Sequence, residues 1–276
     1  MQSDIRPKPL AIDLFAGLGG WTEGLLAEGY DVVGFDIERH EYGEERYPAQ
    51  LVIQDVTTLH GSQFRDAALI VASPPCQEYS YMSMPWSKAK AIRAEYLSGE
   101  RDVAKLTALF DACFRIQREA CEAAGRHIPM VVENVRGAQE WVGRSAAKYG
   151  SFHLWGDVPA LMPMDKSFVK LPGHSMNKGA PKWNMHHTES VESLGIKAAG
   201  MNWSDRSKKG QDFTRIAGRQ AVSREGTKQG GDWFDAASPS KQRMCGSKSK
   251  ARKRASAMIA KIPLPLSRHI AAAWRP

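Results

Sequence analysis

Five short apolar runs, each stopped by a polar or turn residue, divide the first half of this 276-residue chain. They are Leu10-Ala11-Ile12-Asp13-Leu14-Phe15, Val32-Val33-Gly34-Phe35, Leu51-Val52-Ile53, Ala67-Ala68-Leu69-Ile70-Val71-Ala72 and Met130-Val131-Val132. Runs this short read as strands buried on both faces. Between the first two, Thr22 to Glu28 reads as a helix stopped by Gly29. Residues 102–124 place Val103, Leu106, Leu109, Phe110, Cys113 and Ile116 at helical spacing. Strands alternating with helices predict an α/β fold with a doubly wound, mostly parallel sheet.

Charge divides the chain in two. Residues 1–165 hold 16 Lys/Arg and 23 Asp/Glu, whereas residues 166–276 hold 22 and 7. An acidic half joined to a basic half predicts that the second half meets a polyanion. Periodicity fades after about residue 165 and returns near the C-terminus, in a helical stretch broken by Pro263 and Pro265. We therefore expect a large domain at 1–164, a small irregular region at 165–250 and a C-terminal element, 251–276, packing back on the first domain. No apolar run reaches the ~18 residues of a membrane span, and the first residues lack a signal-peptide pattern, so the expected location is the cytoplasm. Cys76, Cys113, Cys121 and Cys245 form no Cys-x-x-Cys pair, which argues against a disulfide framework or zinc knuckle. His174, His186, His187 and Cys245 are spaced too irregularly for a metal site, and none is expected.

Three strings carry chemistry. Asp13-Leu14-Phe15-Ala16-Gly17-Leu18-Gly19-Gly20 follows a strand and opens a helix, where glycines admit a ligand close to the backbone. By itself such a turn fits NAD, a flavin, S-adenosylmethionine or no ligand. Asp36 ends the second strand, where a carboxylate can hold ribose hydroxyls, and Asp55 ends the third, where it can meet an adenine amino group. In Ser73-Pro74-Pro75-Cys76-Gln77 the prolines position a thiol, which at an ordinary pKa near ~8.5 needs help to ionise. Glu133-Asn134-Val135 ends the fifth strand, and a carboxyl buried there is expected to hold its proton and donate a hydrogen bond.

In this order, these strings resemble the C5-cytosine DNA methyltransferases over about residues 10–137. The resemblance implies a class I S-adenosylmethionine-dependent methyltransferase-like fold. It assigns Phe15, Gly17, Leu18, Gly20 and Pro75 to the S-adenosyl-L-methionine pocket, Asp36 to the ribose, Ile37 to the adenine face, and Asp55 and Val56 to the adenine edge. It implies that Cys76 attacks C6 of a flipped-out cytosine in double-stranded DNA and that Glu133 holds N3 and the exocyclic amine. Residues 81–101 are then the loop that closes over the base. Flipping one base at a time is compatible with a monomer, and relatives of this kind include bacterial and bacteriophage proteins of restriction-modification systems.

The chain departs from the family twice. Its Gln-x-Arg-x-Arg string is missing, and Arg144 or Lys148 is the candidate for the missing catalytic cation. Near the C-terminus, the family's asparagine is replaced at Ala260 and followed by Lys261. A cation there suggests a different cofactor, carboxy-S-adenosyl-L-methionine, and carboxymethyl transfer. The same strings also fit methylation of tRNA cytosine, or an inactive relative that only binds DNA. Within 165–250, Arg206, Lys208, Lys209, Arg215, Arg219 and Arg224 interleave with Trp183, Trp203 and Phe213, a composition suited to phosphate contacts and guanine readout.

Overall fold

In the computed structural model, residues 7–42, 45–76, 79, 86–150, 152–162, 253, 257 and 260–276 are described. The chain divides into two units: Met1–Pro163 with Leu264–Pro276, and Met164–Pro263. The first unit holds every element discussed below.

Its centre is a seven-stranded sheet of order β3-β2-β1-β4-β5-β7-β6. The strands are β1 (Leu10–Leu14), β2 (Asp31–Asp36), β3 (Gln50–Ile53), β4 (Ala67–Ala72), β5 (Met130–Asn134), β6 (Ala147–Tyr149) and β7 (Phe152–Gly156). The first five run parallel. β7 runs antiparallel to both β5 and β6. Apolar side chains on both faces of β1, β4 and β5 explain why these runs carry little polar alternation: Ala11, Leu14, Ile70, Val71, Val131 and Val132 are fully enclosed.

The helices are α1 (Gly20–Ala27), α2 (Trp86–Leu97), α3 (Val103–Ala124), α4 (Gln139–Val142) and α5 (Leu264–Ala273). α3 starts at Asp102, whose carboxylate accepts from Ala104 N at 2.9 Å, and stops at Gly125 in the left-handed region (φ 65°). Its face Phe110, Cys113, Ile116 and Ala120 is buried in the core. α1 leads from β1 to β2 and α3 from β4 to β5, in opposite directions across the sheet. Right-handed crossovers therefore place them on opposite faces.

Two expectations are corrected. Residues 86–97, read as part of a loop, form α2. Pro265 does not break the C-terminal helix. It sits in the first turn of α5, where a missing N–H forfeits no helical bond.

α5 packs on α1. Tyr30 Oη donates to Ala271 O at 3.0 Å, and Arg268 Nε donates to Glu28 at 2.7 Å. At the crossing, a Cβ on Gly24 would lie 2.3 Å from Ser267 Oγ and 2.5 Å from Arg268 N. Gly24→Ala is predicted to destabilise the first unit by about 2–3 kcal/mol in a denaturant melt, because Arg268 N and Ser267 C, each 2.5 Å away, are backbone atoms that cannot swing aside. An unchanged midpoint would mean that the helices separate without cost.

Candidate active site

The strand order reverses between β1 and β4, which leaves a crevice at the carboxyl ends of these strands. The loop after β1 bends sharply across it. Phe15 takes φ 58°, Gly17 φ 53° and Gly19 φ 76°. A left-handed phenylalanine is strained and persists because the chain on both sides is fixed. Ala16 N donates to Phe35 O at 3.0 Å, and Gly19 N to Ala16 O at 2.8 Å. A Cβ on Gly17 would meet nothing nearer than Phe15 O at 3.9 Å, so open space lies against the backbone there. Gly19 is confined instead: its Cβ would lie 2.4 Å from Pro48 Cδ. Leu18 and Gly20 are buried, which leaves main chain as their ligand-facing part.

Asp36 ends β2 with its carboxylate turned to this loop. Gly17 N donates to Oδ2 at 2.9 Å, Glu38 N donates to Oδ1 at 3.2 Å, and His40 Nε2 lies 3.6 Å from Oδ1. Burial acts to raise the Asp36 pKa, but these partners together outweigh it and hold the carboxyl below the ordinary aspartate value. Beside it Ile37 is 69% exposed, and Ile53, level with Asp36 on β3, is 47% exposed. An ionised carboxylate flanked by exposed aliphatic side chains suits a ribose carrying an adenine.

Asp55 caps a 3-10 turn, Val56–Thr58, accepting from Thr57 N and Thr57 Oγ1 at 2.8 Å each. The Val56 side chain is enclosed in the core. An adenine above this turn would meet the Asp55 carboxylate before it met the valine.

A further carboxylate, not singled out in the sequence, lies beneath the loop. Asp13 Oδ2 accepts from Thr22 Oγ1 at 2.6 Å and from Tyr47 Oη at 3.4 Å, while its buried Oδ1 has no partner among the described residues. Burial, reinforced by the nearby Asp36 charge, pushes Asp13 up to about 7 against the pull of these hydrogen bonds. Its only advance signal was an acid inside an apolar strand; Tyr47 stands 34 residues away.

The second half of the site is built where β4 and β5 end side by side, with Ala72 level with Val132. Ser73 N donates to Leu14 O at 3.2 Å, and Trp21 Nε1 to Ser73 Oγ at 2.9 Å. Pro74 is buried, Pro75 exposed and Cys76 half-buried. Tyr79 N donates to Cys76 O at 2.8 Å, and Tyr79 Oη to Leu106 O on α3 at 2.8 Å. Glu133 is buried one residue beyond Val132. Asn134 joins the two chain ends: its Nδ2 donates to Pro74 O at 3.0 Å, while its Oδ1 accepts from Val135 N at 2.8 Å. The sequence placed Asn134 inside the string without showing this bond.

The register places one of the candidate cations. Lys148 lies opposite His153, itself opposite Asn134, so Lys148 stands level with the carboxyl rim. Arg144 is exposed in the chain before β6, outside the strand pairing. Lys261 falls in the second unit. The basic and aromatic residues of 165–250, the cluster His174, His186, His187 and Cys245, and residues 81–85 lie outside the described residues. Among the described residues, no group of three or more His, Cys, Asp or Glu is arranged to hold a metal ion.

Residues 10–90 match the family model of the C-5 cytosine-specific DNA methylases. The matched segment contains Asp13 to Val56 and the Cys76 turn. The doubly wound, mostly parallel sheet, with β7 antiparallel, is the α/β architecture expected from the sequence. No curated protein matches the chain. Among solved structures, it is similar to an E. coli protein assigned as a DNA modification methyltransferase encoded within a prophage, at 22% identity and TM-score 0.32 over 48% of this chain and 33% of that one. The Entamoeba histolytica methyltransferase EhMeth is 18% identical, at TM-score 0.33 over 50% and 41%. The S. pombe Dnmt2 methyltransferase is 12% identical, at TM-score 0.44 over 96% and 98%. The chain thus spans about a third and two fifths of the first two proteins' lengths. At these scores the likenesses add no weight to the assignment of the site. No helix among the described residues is long and apolar enough to cross a membrane.

The raised Asp13 pKa gives a signed prediction. The folded state keeps a proton that the unfolded chain releases above 3.8, so the contribution is complete below that pH and is lost as pH rises through about 7. Denaturant unfolding at about pH 5 and about pH 8 should show wild-type stability falling across this window and Asp13→Asn falling less. Parallel profiles would place the titration elsewhere.

Proposed function

We propose that this chain methylates C5 of cytosine in double-stranded DNA, using S-adenosyl-L-methionine and Cys76 as the nucleophile. The observation that carries the reading is the adjacency of Cys76 and Glu133 at neighbouring strand ends, tied by Asn134 and set beside the Gly17–Asp36 pocket.

The pocket residues fit the cofactor. Open space at Gly17 admits a ligand against the main chain, Asp36 offers an ionised acceptor to ribose hydroxyls, and Ile37 offers an apolar face to the adenine. When bound, S-adenosylmethionine supplies an electrophilic methyl group. The chain's own work is to make C5 of cytosine nucleophilic. The Cys76 thiolate adds to C6, forming the S–C6 bond and moving the C5=C6 electron pair toward C5 and the ring carbonyl. Glu133 holds the N3 edge and exocyclic amine in the orientation that stabilises this electron-rich ring. After C5 is substituted, loss of the C5 proton restores the double bond and expels Cys76 as thiolate. Stacked duplex shields C6 from a side chain, so the base is extruded first. The basic region 165–250 is assigned to duplex recognition on its composition, and Arg144 or Lys148 to the family's missing cation. For the latter, the rim-level register favours Lys148. Carboxymethyl transfer depends on Lys261, and no observation on the described residues favours it over methyl transfer.

A duplex containing 5-fluorocytosine tests the proposal, because fluorine at C5 blocks the elimination and traps the thioether. We expect a denaturation-resistant adduct that needs S-adenosylmethionine, disappears in Cys76→Ala and forms at least about 100-fold more slowly in Glu133→Gln. No adduct with the wild-type chain would contradict the proposal, and an adduct on fluorocytosine-containing tRNA alone would replace DNA with RNA.

A further inference from the structure

We infer that Arg93, Tyr96, Glu140 and Trp141 form a clamp that positions Cys76 against Glu133. The inference deepens the proposed reading of the same site and rests on it. α2 begins ten residues after Cys76, and α4 begins five residues after Asn134. The two helices are joined by a two-pronged ion pair: Arg93 Nε lies 2.7 Å from Glu140 Oε1 and 2.9 Å from Oε2, and Arg93 Nη2 also contacts Oε1. Next to it the Tyr96 and Trp141 rings meet at 5.4 Å between centroids, inclined by 59°. The Arg101 guanidinium covers the Tyr96 ring at 5.7 Å, and Tyr96 is 9% exposed.

Neither helix would form on its own strength. α2 has 12 residues, and α4 has four. Isolated helices shorter than about 12–15 residues are marginal in water. Among its described side chains Ile92 and Tyr96, one turn apart, are buried, so a short apolar stripe seats α2. The contact with α4 adds to this seating. A bidentate, partly shielded arginine–carboxylate pair backed by an aromatic contact differs from an isolated surface ion pair, which is worth little.

The consequence is geometric. Before Cys76, Asn134 ties Pro74 to the end of β5. After Cys76, the clamp ties α2 to the helix that follows β5. The nucleophile is therefore bracketed on both sides by links to the segment carrying Glu133. A small displacement of reacting groups costs rate far more than affinity, so these four side chains act as positioning residues.

The experiment compares the full-length wild type with Arg93→Ala, Trp141→Ala and the charge swap Arg93→Glu with Glu140→Arg. Cys76 alkylation by iodoacetamide is followed by peptide mass spectrometry, and methyl transfer to duplex DNA is followed in parallel. Buried Cys113 reports any general unfolding. We expect Arg93→Ala and Trp141→Ala to change Cys76 labelling by roughly threefold or more while Cys113 stays protected. We expect kcat to fall about tenfold with the cofactor KM within about twofold, and the swap to recover most of both effects. Unchanged Cys76 labelling in folded Arg93→Ala and Trp141→Ala, or kcat and KM moving together without recovery in the swap, would overturn the clamp. If the wild type transfers no methyl group, the proposed reaction fails and the Cys76 labelling comparison decides the clamp alone.

Discussion

The hydrogen bond from the Asn134 amide to the Pro74 carbonyl is the link on which the site depends. Two parallel strands end side by side: β5 itself carries Glu133, whereas β4 runs on into the turn that bears Cys76. Without a cross-link, the thiol would follow its own turn while the carboxyl stayed with the sheet. Asn134 uses both ends of its amide at the junction, since its Oδ1 also accepts from Val135 N and so fixes the turn after β5. Pro74 has no N–H of its own and a restricted φ, so its carbonyl direction is set by a stiff backbone. A carboxylate at this position could not donate the Nδ2 bond, which is a physical reason for an amide beside the acid Glu133.

The neighbouring pocket shows how one loop can drive two carboxyl groups in opposite directions. Asp13 and Asp36 flank the same glycine-rich turn. Asp36 accepts from two backbone N–H groups with His40 beside it, and its pKa is lowered. Asp13 is enclosed beneath the loop, with one oxygen unpartnered among the described residues, and its pKa is raised. The Asp36 charge itself adds to the upward push on Asp13. Environments that separate two like groups in this manner give them different work. The ionised acid faces the side where a ribose would lie, and the acid with the raised pKa braces β1, α1 and Tyr47 from within.

Much of this is legible in the amino-acid sequence. β1, β2 and β4 stand within a residue or so of the apolar runs, because buried strands cannot hide their composition, and the half-exposed edge strand β3 stands equally close to its run. β5 extends to Asn134, two residues beyond the apolar run, because Glu133 and Asn134 keep extended pairing with β7. α2 is not legible. Its apolar stripe is short, with Ile92 and Tyr96 its buried side chains, and the groups that clamp it, Glu140 and Trp141, lie more than forty residues downstream. Val56, which the resemblance assigned to the adenine edge, has its side chain drawn into the core at the 3-10 turn, which leaves its main chain as the part able to meet a ligand. The Asp13–Thr22–Tyr47 group was hidden because its third member comes from a distant segment, which no local pattern announces.

The measurement that bears most directly on the account is nucleoside mass spectrometry of genomic DNA from cells expressing this chain, with Cys76→Ala expressed in parallel. The account predicts 5-methylcytosine in DNA with the wild-type chain and none above background with the variant. Equal levels in the two strains, or no modified cytosine with the wild type, would contradict it.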